Sequence, residues 1–348
     1  MHILEEHNTL HRVERANIAW IRLDNQLTNK KCFVTGGAGF IGSYLVESLL
    51  SRGCMITAYD NLASGKRAWL ESCLKDSRFQ FAHGDITDYD NLEKQMKGHD
   101  IVWHFAANTN MRIGTTNPMV DFSNGLIGTF NVLNAMRSNN IHELIFPSSG
   151  AVYGDINRPP ASEEYGPLLP VSTYGAGKLS AEGWISAYGH LANIKSWIFR
   201  FGNVLGARMT HGVIYDLFNK LRSNSEDREV NSEELEVLGD GTGEKNYFLV
   251  EECTDGMIYA YDHSNHTGAD IFNLGSDTTT RVSQIVKIIL EETGKNPEIR
   301  YKGGVRGWPG DQPRVYMSVE KMKKLGWSTK LTSDEAVRIA VRRYLGRA

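Results

Sequence analysis

Several signals that would assign a chain to a class are missing from this one. Only four of the 348 residues are cysteine (Cys32, Cys54, Cys73 and Cys253), with no Cys-x-x-Cys pair and no zinc-ligand spacing. That excludes a disulfide scaffold and a cysteine metal centre. The thiols read instead as small buried side chains in a reducing, cytoplasmic setting. No metal-ligand set of another kind stands out either. No apolar run reaches the roughly 18 residues a spanning helix needs, so no membrane is expected. Basic excess is absent as well. With 38 Lys+Arg against 41 Asp+Glu the formal net charge is −3, which argues against nucleic acid as a partner. An anionic small molecule needs only a few local cations and stays open. The opening Met1-His2-Ile3-Leu4-Glu5-Glu6-His7 has neither a basic nor an apolar stretch, so no signal peptide is expected. Internal repeats and low-complexity tracts are also lacking.

What is present has ordinary globular composition, 41% hydrophobic and 23% charged. Residues 1–29 are polar with scattered apolar positions and read as an arm or short helix packed on the body. From Lys31 onward, short β-rich runs recur at Cys32–Thr35, Met55–Tyr59, Phe79–Ala82, Ile101–Phe105, Leu144–Pro147 and Ser196–Phe201. Helix-length segments such as Ile41–Arg52 and Gly125–Ser138 separate them. Strands alternating with helices predict a parallel α/β sheet covered on both faces. After about residue 204 the rhythm breaks. Ser223–Glu236, dense in charge, reads as a solvated loop. Helical periodicity returns at Val282–Glu292 and Ser333–Tyr344, predicting a smaller C-terminal α/β lobe.

Two constellations carry chemistry. Thr35-Gly36-Gly37-Ala38-Gly39-Phe40-Ile41-Gly42 lies between a β-run and an apolar helix. Glycines in that position allow a tight turn and bring backbone N–H groups and a helix N-terminus up to a pyrophosphate. The next strand ends in Asp60-Asn61, where a carboxylate can hold both ribose hydroxyls and repel a 2′-phosphate. NAD is therefore favoured over NADP, although Lys66 and Arg67 nearby leave NADP open. Gly84-Asp85-Ile86 follows the third strand, with Asp85 and Ile86 suited to an adenine ring. The second constellation is Tyr174-Gly175-Ala176-Gly177-Lys178. On a helix, i and i+4 share a face, so the Lys178 cation is expected to lower the pKa of the Tyr174 phenol and make it a proton acceptor. Upstream, Ser148-Ser149-Gly150 ends a buried strand, where Ser149 can bond a reacting oxygen.

Taken together with His104-Phe105-Ala106-Ala107, Asn124 in Asn-x-x-x-Gly-Thr, and Ser-Ser-x-x-Val-Tyr-Gly, these motifs occur in one order. The chain thereby resembles the extended short-chain dehydrogenase/reductase family, in its NAD-dependent nucleotide-sugar epimerase/dehydratase group, from about residue 31 to 345. The resemblance implies a Rossmann doubly wound parallel sheet with a smaller C-terminal α/β substrate lobe. It implies Ser149, Tyr174 and Lys178 as the catalytic set and Asn124 as support for a proton relay. NAD is then held by Gly36, Gly39, Phe40, Ile41, Gly42, Asp60, Asn61, Asp85, Ile86, Phe105, Ala106, Ala107, Tyr174, Lys178 and Phe201. Residues 30–203, with 245–270 returning, are expected to form the NAD domain, and 204–244 with 271–348 the substrate lobe.

Arg200-Phe201-Gly202-Asn203-Val204-Leu205-Gly206 resembles the family's diphosphate-contacting segment, which implies Asn203 and, further on, Val213 in the substrate set. Lys245 stands where the family has a phosphate-binding Arg. Trp308, in Gly307-Trp308-Pro309-Gly310-Asp311, replaces another, which leaves Arg306 or Arg314 to compensate. Arg112 is an additional candidate toward a carboxylate or phosphate. The implied partner is a nucleotide sugar, with a UDP-sugar first, and a homodimer built through the segments near Gly125–Ser138 and Gly175–Tyr188. Gly150 and Ala151 carry no proton-transfer group, which favours 4-epimerisation through a transient 4-keto sugar, and Gly150 is expected to leave room for that sugar to rotate. A decarboxylase, a 4,6-dehydratase, a 4-dehydrogenase and a non-catalytic NAD-sensing regulator are the alternatives.

Overall fold

A computed structural model describes residues 26–226 and 234–347. The expected N-terminal arm lies outside the described residues except at its end, where Leu27 is fully buried and its carbonyl accepts from the Cys54 thiol. The strands β1 (Lys31–Thr35), β2 (Met55–Asp60), β3 (Phe79–His83), β4 (Ile101–His104), β5 (Glu143–Ser149) and β6 (Lys195–Phe201), joined by the strand Ala269–Leu274, form one seven-stranded sheet. Every pairing in it is parallel. The order is Ala269–Leu274, β6, β5, β4, β1, β2, β3. Chain direction across the sheet therefore reverses between β1 and β4, and the crevice at that switch point opens at the carboxyl ends of the strands.

Helices cover both faces, so central strands such as β4 are buried at every position. One face packs Val34, Leu45, Leu49, Trp103, Trp197, Cys253 and Met257; the other packs Phe33, Val102, Leu133, Met136, Ile185 and Ile198. A third core, around Ile214, Leu217, Leu249, Ile285, Ile289, Val337 and Val341, belongs to the second lobe. The strand Ala269–Leu274 pairs with β6 along its whole length. The return to the large sheet thus runs to Leu274, four residues past the boundary at 270 expected from sequence.

The expected loop at Ser223–Glu236 is structured at both ends. The helix Val213–Glu226 occupies its beginning and the strand Glu234–Val237 its end, with 227–233 outside the described residues. In that strand Leu235 and Val237 face the core while Glu234 and Glu236 face out. The outward carboxylates meet Arg300, Lys302 and Lys220. Charge density concealed an alternating strand whose polar side is neutralised by its neighbours.

Candidate active site

The glycine loop lies at the switch point. Gly36 has φ +68°, and a β-carbon there would fall 2.6 Å from the Ala106 nitrogen. A β-carbon at Gly42 would fall 2.1 Å from the Gly36 carbonyl oxygen. Both positions therefore require glycine. Gly39 is the N-cap of the helix Phe40–Ser51, and no side chain caps that helix. Its first-turn N–H groups around Phe40 and Ile41 suit an anion. Asp60 closes β2 beside this loop, its two oxygens accepting from the Ala38 and Leu62 N–H groups at 2.9 and 2.7 Å. Burial raises its pKa. Asn61 donates to Asp85 at 2.7 Å, so the adenosine-side candidates from β2 and β3 form one rim, with Ile86 buried behind. Phe105, Ala106 and Ala107 continue β4 past the loop, and Ala106 N–H donates to the Thr35 hydroxyl. His104 lies between Thr35 and Thr129 hydroxyls, and burial pushes its pKa down to about 3. It is a neutral strut below the crevice. These features fit a dinucleotide: a cradle that β-carbons would fill, an uncapped helix start, and a carboxylate at the second strand end.

The catalytic candidates converge. Ser149 ends β5, level with Phe201 at the end of β6, and its hydroxyl accepts from Ala151 N–H at 3.1 Å. Tyr174 opens the helix Thr173–Leu191, which Ser172 caps by accepting from Gly175 N–H. Lys178 is one turn on. Its Nζ donates to the Pro147 carbonyl at 2.6 Å and lies 6.0 Å from the centre of the Tyr174 ring.

The electrostatics depart from the expectation that Lys178 lowers the phenol pKa. Burial dominates, pushing Tyr174 up to about 12; a hydrogen bond with Ser149 opposes this and the charge of Asp121 adds to it. Burial likewise pushes Lys178 down to about 7, against the favourable charge of Glu182. Glu182, one turn further along the helix, is itself buried in a fork with Arg200, at 3.0 and 2.7 Å, and accepts from Ser148.

Two further sequence expectations change, and one residue joins the site. Asn124 stands in a π-helical turn, Phe122–Ile127, and its amide donates to the Val120 carbonyl in its own helix at 2.9 Å. The residue of that turn lining the cavity beside Tyr174 and Lys178 is Gly125, packed against Gly177, together with Ala107, Asn108 and Asp121. Gly150 does not widen the site. It is buried, and a β-carbon would meet Val315 and Met317 at 2.9 and 3.0 Å, so its smallness serves packing. Asp121, not singled out from sequence, is a buried carboxylate on the cavity wall. No motif flags an Asp in Asn-Pro-Met-Val-Asp; only the fold brings it beside Tyr174.

The substrate-side candidates are spread over both lobes, and three of the cations already have a carboxylate. Lys245 pairs with Asp311 at 2.8 Å, Arg306 with Asp155 at 2.6 Å, and Arg112 with Asp216 at 2.7 Å. The last joins the loop after β4 to the helix that Val213 begins. Asn203 pairs with the strand Tyr247–Leu249 and donates to the Asn246 carbonyl. Arg314 is exposed on a two-residue strand.

Comparison with known proteins gives the same family. The family model described as NAD dependent epimerase/dehydratase matches residues 32–275. A crystal structure of a UDP-galactose 4-epimerase superimposes with TM-score 0.80 at 34% identity, covering 91% of this chain and 99% of that one. The UDP-glucose 4-epimerase of Thermus thermophilus, in complex with NAD, gives 0.78 at 29%, covering 91% and 100%. The UDP-glucose 4-epimerase 3 of Oryza sativa subsp. japonica is 30% identical over 331 residues, 88% of this chain and 87% of that protein.

Proposed function

Since this chain belongs to the NAD-dependent epimerase/dehydratase family, we propose that it is a nucleotide-sugar 4-epimerase acting on a UDP-sugar through a transient 4-keto sugar. One observation carries the choice within the family. Tyr174 and Lys178 line the cavity, Ser149 hydrogen-bonds Tyr174 from the end of β5, and the two residues after Ser149 are a buried glycine and a buried alanine. Elimination or decarboxylation draws on further acid or base groups following the serine, and none is offered there.

NAD, when bound, supplies a hydride acceptor and donor at the sugar carbon. The glycine loop and the start of the helix Phe40–Ser51 would hold its pyrophosphate, Asp60 and Asn61 its adenosine ribose, and Asp85 with Ile86 its adenine. Tyr174 takes the proton of the C4 hydroxyl as the carbon is oxidised, and Ser149 bonds the same oxygen. After the keto sugar turns, reduction of its opposite face would let Tyr174 give the proton back to the C4 oxygen, leaving the side chains as they began. Lys178 would hold the nicotinamide ribose and, as an ammonium, favour the phenolate. Lys245, Arg306, Asn203 and Arg112 surround the sugar diphosphate. The UDP assignment is supported by the relatives' names.

We also infer a homodimer formed through the helices Gly128–Ser138 and Thr173–Leu191. Phe122 and Trp184 remain 48% and 42% exposed on and beside these helices, which suits burial against a second copy. Four free cysteines, all buried, fit a cytoplasmic enzyme. The test is product analysis with UDP-glucose and UDP-galactose: each should yield the other with no build-up of NADH absorbance. Stoichiometric NADH, carbon dioxide or a dehydrated keto sugar as the main product would overturn the assignment.

A further inference from the structure

Asp121 is 3% exposed, and it holds two segments that the chemistry depends on. One oxygen accepts from the Asn108 amide at 2.8 Å, the other from the Thr173 hydroxyl at 2.6 Å. Asn108 begins the loop that leads to Arg112, and its own side-chain oxygen accepts from Asn110 N–H. Thr173 directly precedes Tyr174. The space for this carboxylate is made by Gly114, where a β-carbon would fall 2.2 Å from both the Asp121 oxygen and the Thr173 hydroxyl. The Asp121 backbone is also close to the helix: a β-carbon at Gly177 would approach its carbonyl at 3.1 Å. One glycine thus clears the way for the acidic side chain and another for its backbone, and the carboxylate lies with Asn108, Tyr174 and Lys178 on the wall of a single cavity.

We propose that Asp121 is a positioning residue for Tyr174, clamping the first turn of the Thr173–Leu191 helix to the substrate-side loop and setting the charge beside the phenol. Resting on the reading of Tyr174 as the acid/base, it adds what holds that residue. A buried carboxylate whose oxygens are both engaged by neutral donors is rigid and keeps its charge at a fixed distance from the phenol. Facing the phenol are Asp121 from the π-turn side, Ser149 from β5 and Lys178 from its own helix. Asp121 opposes ionisation and Ser149 favours it. The clamp therefore keeps the proton on Tyr174 until a cofactor and the Lys178 ammonium shift the balance.

The two contributions separate by mutation. Asp121→Asn keeps the shape and removes the charge. Thr173→Val keeps the charge and removes the bond to the catalytic helix. In the pH profile of kcat/KM, where activity rises as the phenol ionises, Asp121→Asn should move the rising limb to lower pH by about one unit, the size of effect a nearby charge exerts. Thr173→Val should leave the limb in place and lower kcat roughly tenfold or more with KM little changed, since misplacing a reacting group acts on turnover. A merely structural role would lower the melting temperature and leave the limb where it is. A limb unmoved in Asp121→Asn overturns the proposal. Should that variant not fold, Thr173→Val decides alone, and wild-type kcat in it overturns the proposal. Tyr174→Phe is measured in parallel: normal turnover there overturns the reading of Tyr174 itself, whatever the Asp121 variants do.

Discussion

At the residue scale the site consists of side chains whose burial works against their ionisation. Tyr174→Phe removes the proton acceptor and should lose about 10²–10⁴ in turnover, with sugar-nucleotide affinity nearly unchanged because the diphosphate is held elsewhere. Steady-state kinetics with isothermal titration checks both halves. Lys178 makes a separate prediction. Its folded pKa, near 7, lies below the 10.5 of the unfolded chain. Between those values the unfolded state binds the extra proton, so this group adds stability as pH rises from about 7 toward 10 and removes it as pH falls again. Wild type should therefore gain melting temperature relative to Lys178→Met on going from pH 7 to 9, and parallel curves would refute the assignment. Gly36→Ala should abolish NAD retention, since its φ and its contact with Ala106 leave no room for a methyl group; cofactor content of the purified variant reports this. The convergence of Ser149, Tyr174 and Lys178 was legible because their order and spacing are themselves the signal. The turning of the Asn124 amide back onto its own helix and the place of Asp121 beside Tyr174 were not. A π-helical turn alters which residue faces inward, and no residue pattern announces where such a turn falls.

At the scale of elements, the helix Thr173–Leu191 carries Tyr174 and Lys178 at its amino end, so its cap matters more than its length. Ser172→Ala removes the acceptor for Gly175 N–H and should cost about 1 kcal/mol of stability, by analogy with other N-caps. Denaturant unfolding would show it, along with a loss of turnover as the first turn frays. The strands β1 to β6 were readable to within a few residues, because buried parallel strands are continuous β-rich runs. The strand Glu234–Val237 was not. Half of its residues are glutamates, and only its pairing with Glu298–Tyr301, which brings Arg300 and Lys302 alongside, makes it a strand rather than a solvated loop.

At the scale of the whole molecule, the sheet carries the cofactor motifs at its switch point. Light scattering at micromolar concentration should give twice the monomer mass, and Trp184→Glu, placed on the exposed helix face, should shift it toward monomer. The pairing of three candidate diphosphate cations with carboxylates has its own consequence. Lys245, Arg306 and Arg112 are already neutralised by Asp311, Asp155 and Asp216, so an arriving dianion meets little attractive field at long range. On the proposed reading binding is an exchange of partners, in which each phosphate oxygen gained displaces a carboxylate oxygen rather than a loose cloud of counterions. Affinity for UDP should consequently vary only weakly with sodium chloride concentration. Asp311→Asn, by leaving Lys245 without its internal anion, should tighten UDP binding at low salt and make it markedly more sensitive to salt.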